Sequence, residues 1–293
     1  MKTVSIIGAN SSIARNFYYY LKPLPNIKIY LYDRQEKLID ETEDEYHQID
    51  FSDKNSMREI CFHCDFLYIF TGKTGASKGF QEYESFLSIN ELILLRILDE
   101  VVNQNAKCRI IYPSSRLVYD GEQIMPLKEN DRINPKSIYA INKIVAEQYL
   151  KLYHKVYGID YTIFRIAIPF GVLNPRISEY GMVASLVNQA KNNKTITLFG
   201  KGESVRTFTH ISDICHVLWE GSIAKETCNE IFNIGGHVYS LNELVKRIVK
   251  VYPAEIVSVD WPKLEKDVEV INGWLDSSKL DSILKIDYQD IYI

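Results

Sequence analysis

Val4-Ser5-Ile6-Ile7-Gly8-Ala9-Asn10-Ser11-Ser12-Ile13-Ala14 is the stretch whose reading decides the fold. A short apolar run breaks at Gly8 and passes into a segment that opens like a helix. A strand that turns through glycine into a helix start can seat the pyrophosphate of a dinucleotide. The backbone approaches closely there, and the free N–H groups and helix dipole favour an anion. Ser11 and Ala14 stand where a Gly-x-x-Gly-x-x-Gly turn has its second and third glycines. Either Gly8, Asn10, Ser11, Ser12 and Ile13 hold a cofactor, or this is an ordinary strand-to-helix turn. Asp33 favours the first reading, because it ends the next apolar run, where a carboxylate accepts hydrogen bonds from an adenosine ribose. That choice favours NAD. Arg34 and Arg15 keep NADP open, since either can pair with a 2′-phosphate. Asp50-Phe51, after the third run, either meets the adenine or closes a plain turn.

Outward from this turn, apolar runs recur at Ile27 to Tyr32, Tyr46 to Ile49, Phe66 to Phe70, Arg109 to Tyr112 and Tyr161 to Ile166. Longer helical patterns separate them, notably Phe80 to Asn103 and Ser137 to Tyr157. Such alternation predicts a doubly wound α/β domain of Rossmann type with a parallel sheet. After Ile166 the rhythm changes, with Pro169, Gly171, Pro175 and Gly181 close together. The expected organisation is a dinucleotide domain over 1–166, with returns near 205–235, and a smaller substrate domain over 167–293.

Composition excludes several classes. The chain has 293 residues, 46% of them hydrophobic, so it can bury a sizeable core. A net charge of -4 provides no extended basic surface for nucleic acid. No apolar stretch is long enough to span a membrane, and the N-terminus lacks the apolar region of a signal peptide. A cytoplasmic protein is expected. Five cysteines, an odd number, argue against a disulfide framework. Cys61-Phe62-His63-Cys64 has no second pair to complete a metal site and reads as packing before a strand. No metal is expected.

Ser114-Ser115 closes the fifth run, and Tyr139-Ala140-Ile141-Asn142-Lys143 lies in the second long helix. Residues four apart share a helix face, so Tyr139 and Lys143 can act together. Tyr18 and Lys22 repeat the spacing as a control, without a serine-bearing strand and with Pro23 next, and read as a solvated helix end. The string Pro113-Ser114-Ser115-Arg116-Leu117-Val118-Tyr119-Asp120 followed by Pro135-Lys136-Ser137-Ile138-Tyr139, Lys143 and Glu147 resembles the extended short-chain dehydrogenases that act on nucleotide sugars. The likeness continues through Phe164-Arg165 to Gly171, then Leu198 to Gly202 and Arg206 to Asp213, and ends at Phe232-Asn233-Ile234-Gly235-Gly236.

The resemblance implies that Tyr139 is the general acid or base for a sugar hydroxyl and that Ser115 holds the reacting oxygen. Lys143 would lower the tyrosine pKa and bond the nicotinamide ribose. Thr71 would border the cofactor. In the smaller domain Arg206 would grip a diphosphate and Phe199 would pack beside the base. Lys263 stands in the region where relatives carry a second arginine, so either a lysine takes that place or the contact is lost. Ser114 would lie near the sugar, and Lys73, where relatives have small apolar residues, is either a cation near the sugar or a solvated loop lysine. Arg116-Leu117 replaces the Asp-Glu pair of dehydratases, which disfavours dehydration. Ile168 replaces an asparagine common in epimerases. Three readings remain: an NAD-dependent 4-epimerase, a 4-ketoreductase using NAD(P)H, and a non-catalytic cofactor-binding regulator. A homodimer through the two long helices is a further expectation.

Overall fold

The computed structural model describes residues 1–37 and 45–291. Five strands of the first half are β1 (Lys2–Ile7), β2 (Ile27–Asp33), β3 (Glu45–Gln48), β4 (Phe66–Ile69) and β5 (Arg109–Ser115). They are followed by β6 (Tyr161–Ile166), β7 (Ile168–Phe170), β8 (Thr195–Phe199), β9 (Val205–His210), β10 (Glu230–Asn233), β11 (His237–Ser240) and β12 (Glu255–Val259). The central sheet has the order β10-β6-β5-β4-β1-β2-β3 and every pairing in it is parallel. The doubly wound expectation therefore holds. The fully apolar burial of β4 and the closed faces of β1 and β6 are what a sheet covered on both sides requires.

Helices cover both faces. On one side α1 (Ser12–Leu21) packs with α7 (Ile211–Ile223) over a core containing Phe17, Tyr18, Tyr68, Phe164 and Leu218. On the other, the segment α3 (Tyr83–Leu87), a π-turn at Ser88–Leu92 and α4 (Ile93–Asn103) pack beside α5 (Ile138–Tyr157) over Leu67, Ile97, Ile110 and Ile163. Two expectations change in detail. The pattern over Phe80 to Asn103 is not one regular helix, since it is interrupted by the π-turn around Asn90. Tyr18 is buried in the core rather than solvated, because its position on α1 faces the sheet, while Lys22 caps that helix.

Beyond residue 166, β11-β9-β7 and β12-β8 form two small sheets, with α6 (Met182–Asn188) and α8 (Leu241–Val251) packed on a separate apolar cluster. The strand β10 returns to the edge of the central sheet. Among the described residues no helix is long and apolar enough to cross a membrane.

Candidate functional site

Strand order reverses between β1 and β4, since β1 continues outward to β2 while the chain later returns on the other side. A crevice opens at such a point beyond the carboxyl ends of the strands. Gly8 occupies it with φ +81°, and a Cβ there would lie 2.5 Å from the Thr71 backbone nitrogen. The turn thus needs glycine both for its left-handed conformation and for its contact with the β4 loop. Ser11 caps α1 through the Ala14 N–H, and Ser11, Ser12 and Ile13 line a cavity of about 600 Å³.

Asp33 supports this turn. Its carboxylate accepts from the Asn10 N–H at 2.9 Å and the Gln35 N–H at 3.2 Å. The Asn10 side chain donates to Lys37 O and Tyr46 Oη. Arg34 is exposed. Asp50 is exposed and binds Ser52 through both its N–H and hydroxyl, which holds the carboxyl below its usual range. Phe51 is buried, its carbonyl receiving Arg96 at 2.9 Å.

The cavity floor is built by β5 and α5. Ser114 and Ser115, at the carboxyl end of β5, both line the cavity, and Tyr112 shares the Ser114 side of the strand. Residues 139, 143 and 147 lie one above another on α5. Lys143 Nζ donates to Pro113 O at 2.7 Å and to Tyr112 Oη at 3.1 Å, and sits 5.9 Å from the Tyr139 ring centroid. Burial pulls the Lys143 pKa down to about 7, with Glu147 opposing that fall. Burial pushes Tyr139 up to about 12, offset in part by a hydrogen bond with Ser115. This departs from the expectation of a depressed phenol. Desolvation dominates at the Tyr139 hydroxyl, while the Lys143 ammonium is bonded to Pro113 and Tyr112.

Several predicted residues are engaged elsewhere. Ser114 donates to Glu147 at 2.6 Å, and Glu147 also receives Arg165 at 2.7 Å and 3.0 Å. The Ser114 hydroxyl is thus part of a buried ion-pair network, while Ser114 also lines the main cavity. Lys73 turns away from the cleft to pair with Glu82 and to donate to Ser85 at 2.7 Å. Lys263 is exposed on α9 (Lys263–Val268) and borders neither cavity described here. The carboxylate of Glu269 stands beside Arg206 instead.

Thr71 and Arg206 both line the main cavity. A second cavity of about 310 Å³ adjoins it, sharing Met182, Arg206 and Glu269. Phe199 lies there, its ring 5.1 Å from that of Trp261. Trp261, Glu269, Tyr112 and Asn90 were not singled out from the sequence. Asn90 bridges Lys73 N at 2.7 Å and Asn142 at 3.2 Å, joining the β4 loop to α5. The only local signal for Tyr112 is its place two residues before Ser114 on one strand face.

A Methanocaldococcus jannaschii protein provisionally assigned as a UDP-glucose 4-epimerase is 32% identical over 157 residues, 53% of this chain and 50% of its own length. The dTDP-4-dehydro-6-deoxyglucose reductase of Escherichia coli is 29% identical over 146 residues, 50% of this chain and 46% of the other. The chain therefore spans about half the length of these relatives. A solved structure of UDP-glucose 4-epimerase from Thermotoga maritima, with UDP-glucose, superposes with a TM-score of 0.84 at 22% identity, covering 96% of this chain and 91% of that one. A family model described as NAD dependent epimerase/dehydratase matches residues 4–235. With the dinucleotide-type turn, the Ser115/Tyr139/Lys143 floor and that match over most of its length, the chain belongs to the NAD dependent epimerase/dehydratase family.

Proposed function

We propose that this protein is an NAD-dependent nucleotide-sugar epimerase acting at C4 of a UDP-type hexose, through a transient 4-keto sugar. The observation that carries the reading is the convergence of Ser115, Tyr139 and Lys143 on one cavity that reaches from the Gly8 turn to Arg206. The start of α1 fits a dinucleotide pyrophosphate: Gly8, where a Cβ would collide with the Thr71 backbone, turns the chain into a helix whose first residues, Ser12 and Ile13, line the cavity. When bound there, NAD supplies the hydride acceptor and donor.

The chain's own residues do the rest. Ser115 holds the sugar hydroxyl against Tyr139, and Tyr139 accepts its proton and later returns it. With a pKa of about 12 the phenol is neutral at neutral pH, so a cation near it is needed to favour ionisation. Lys143, held at its stem by α5, is the residue placed to do so. Residues 1–166 with β10 would hold the dinucleotide, and the small sheets would hold the nucleotide sugar. A homodimer through the long helices and a cytoplasmic location remain part of this reading.

A reductase of a nucleotide 4-keto-6-deoxy sugar is the second reading, supported by the Escherichia coli relative. The deciding measurement is to denature the purified protein and quantify released nicotinamide nucleotide. Near-stoichiometric NAD, together with interconversion of UDP-hexoses, is the expected result. Bound nucleotide absent, with consumption of NADPH on a 4-keto sugar nucleotide, would replace the epimerase by the reductase. In either case Tyr139→Phe should lower kcat by about 10²–10⁴ with little change in melting temperature.

A further inference from the structure

Two buried guanidiniums meet one carboxylate where the two cavities join. Arg116, directly after Ser115, places Nη2 2.7 Å from Glu269 Oε1 and donates through Nη1 to Val270 O at 3.1 Å. Arg206 on β9 places Nη2 3.5 Å from the same oxygen, while its Nη1 faces only Met182 Sδ at 3.6 Å. Among the described residues its buried Nε has no hydrogen-bond partner. Arg206 is 1% and Arg116 4% exposed, whereas the Glu269 side chain is 19% exposed and borders both cavities.

The charges do not balance, since one carboxylate faces two guanidiniums. Nor do the hydrogen bonds, because two guanidiniums offer ten N–H donors in forks suited to planar anions and a single carboxylate has two oxygens. The chain beyond Glu269 is anchored: Gly273 N–H donates to Val205 O at 3.1 Å and Leu275 N–H to Thr207 Oγ1 at 2.9 Å. Glu269 sits just ahead of that anchor, at the end of α9.

We propose that Glu269 is a stand-in anion. Its carboxylate occupies the position that the substrate's diphosphate takes, and Arg116 serves beside Arg206 as the second guanidinium of that subsite. Substrate entry then exchanges a single carboxylate for a group with more charge and more acceptor oxygens. The ring-bearing end of the nucleotide lies toward Phe199 and Trp261 in the adjoining cavity. Arg116 thereby couples the diphosphate subsite to Ser115, its neighbour in the chain. This inference rests on the nucleotide-sugar reading above.

The test is calorimetric titration of UDP into the full-length protein and its Glu269→Gln, Arg116→Met and Arg116→Lys variants, with NAD affinity and melting temperature as folding controls. Glu269→Gln should bind UDP about tenfold tighter, as expected when a competing charged hydrogen bond is removed. Arg116→Met should bind it about tenfold more weakly, and Arg116→Lys should fall between Met and wild type. Weaker UDP binding by Glu269→Gln would make Glu269 a scaffold for the arginines and overturn the proposal. Unchanged binding by Arg116→Met would remove the second guanidinium and overturn it equally. If the wild type binds NAD but neither UDP nor any other nucleoside diphosphate, the nucleotide-sugar reading itself fails.

Discussion

Arg165 and Arg206 are both almost fully buried arginines, and their surroundings differ in one respect that separates framework from binding surface. Arg165 gives Glu147 two hydrogen bonds, gives Glu129 O a third at 3.0 Å, and lies over the Tyr119 ring. Although burial opposes its charge, Glu147 raises its pKa. Arg206 has a distant share of Glu269, a sulfur contact and an unpaired Nε, and burial together with Arg116 brings it down to about 10. A satisfied buried charge holds structure in place. An under-satisfied one beside a cavity retains binding capacity that a ligand can use.

Matched substitutions test that contrast, and the largest effect belongs to the framework. Glu147→Gln should cost about 3–5 kcal/mol in urea unfolding, because Arg165 is left with an uncompensated buried charge. A loss under about 1 kcal/mol would erase the distinction drawn here.

Lys143→Met addresses the charge above the same network. The folded pKa of about 7 lies below the ordinary 10.5, so the unfolded chain holds more protons between those values. The penalty is fully present below pH 7 and fades as pH rises toward 10.5. After allowance for two lost hydrogen bonds, the variant should be more stable than wild type by about 2 kcal/mol at pH 6, and by pH 10 the difference should reverse, leaving the variant less stable by about 2 kcal/mol. Activity should be lost at both pH values. A variant less stable at pH 6 would show that Lys143 strengthens the fold as well as the site.

Glu269→Gln should cost about 1–3 kcal/mol, less than Glu147→Gln because the Glu269 side chain meets the cavity and water there can reach the two guanidiniums it leaves. Ser114→Ala should cost about 1 kcal/mol and leave kcat nearly unchanged, since its hydroxyl serves Glu147. Ser115→Ala should do the reverse, reducing turnover with little effect on melting.

The parallel sheet was legible because strands covered on both faces must be apolar runs and crossover helices must follow them. The Gly8 turn and the Tyr139/Lys143 pair were legible because both are local geometries, one a steric requirement and the other a helix repeat. The surroundings of Lys73 and Ser114 were not legible in the same way. Each is a polar residue near the expected site, yet the side chain's direction depends on a partner in another element, Glu147 on α5 for Ser114 and Glu82 in the loop before α3 for Lys73. The interruption at Asn90 was invisible for a similar reason, since no glycine or proline marks it.

From the sequence alone came the sheet, the dinucleotide-type turn, the family resemblance and the serine, tyrosine and lysine of the floor, all of them properties of neighbours along the chain. Only the tertiary structure decided how their charges are balanced. It set Tyr139 high and Lys143 low by burying both, tied Ser114 into the Arg165 network, and brought Glu269 between Arg116 and Arg206. Desolvation and ion pairing act through space between residues as many as 153 positions apart, and no spacing in the sequence encodes them.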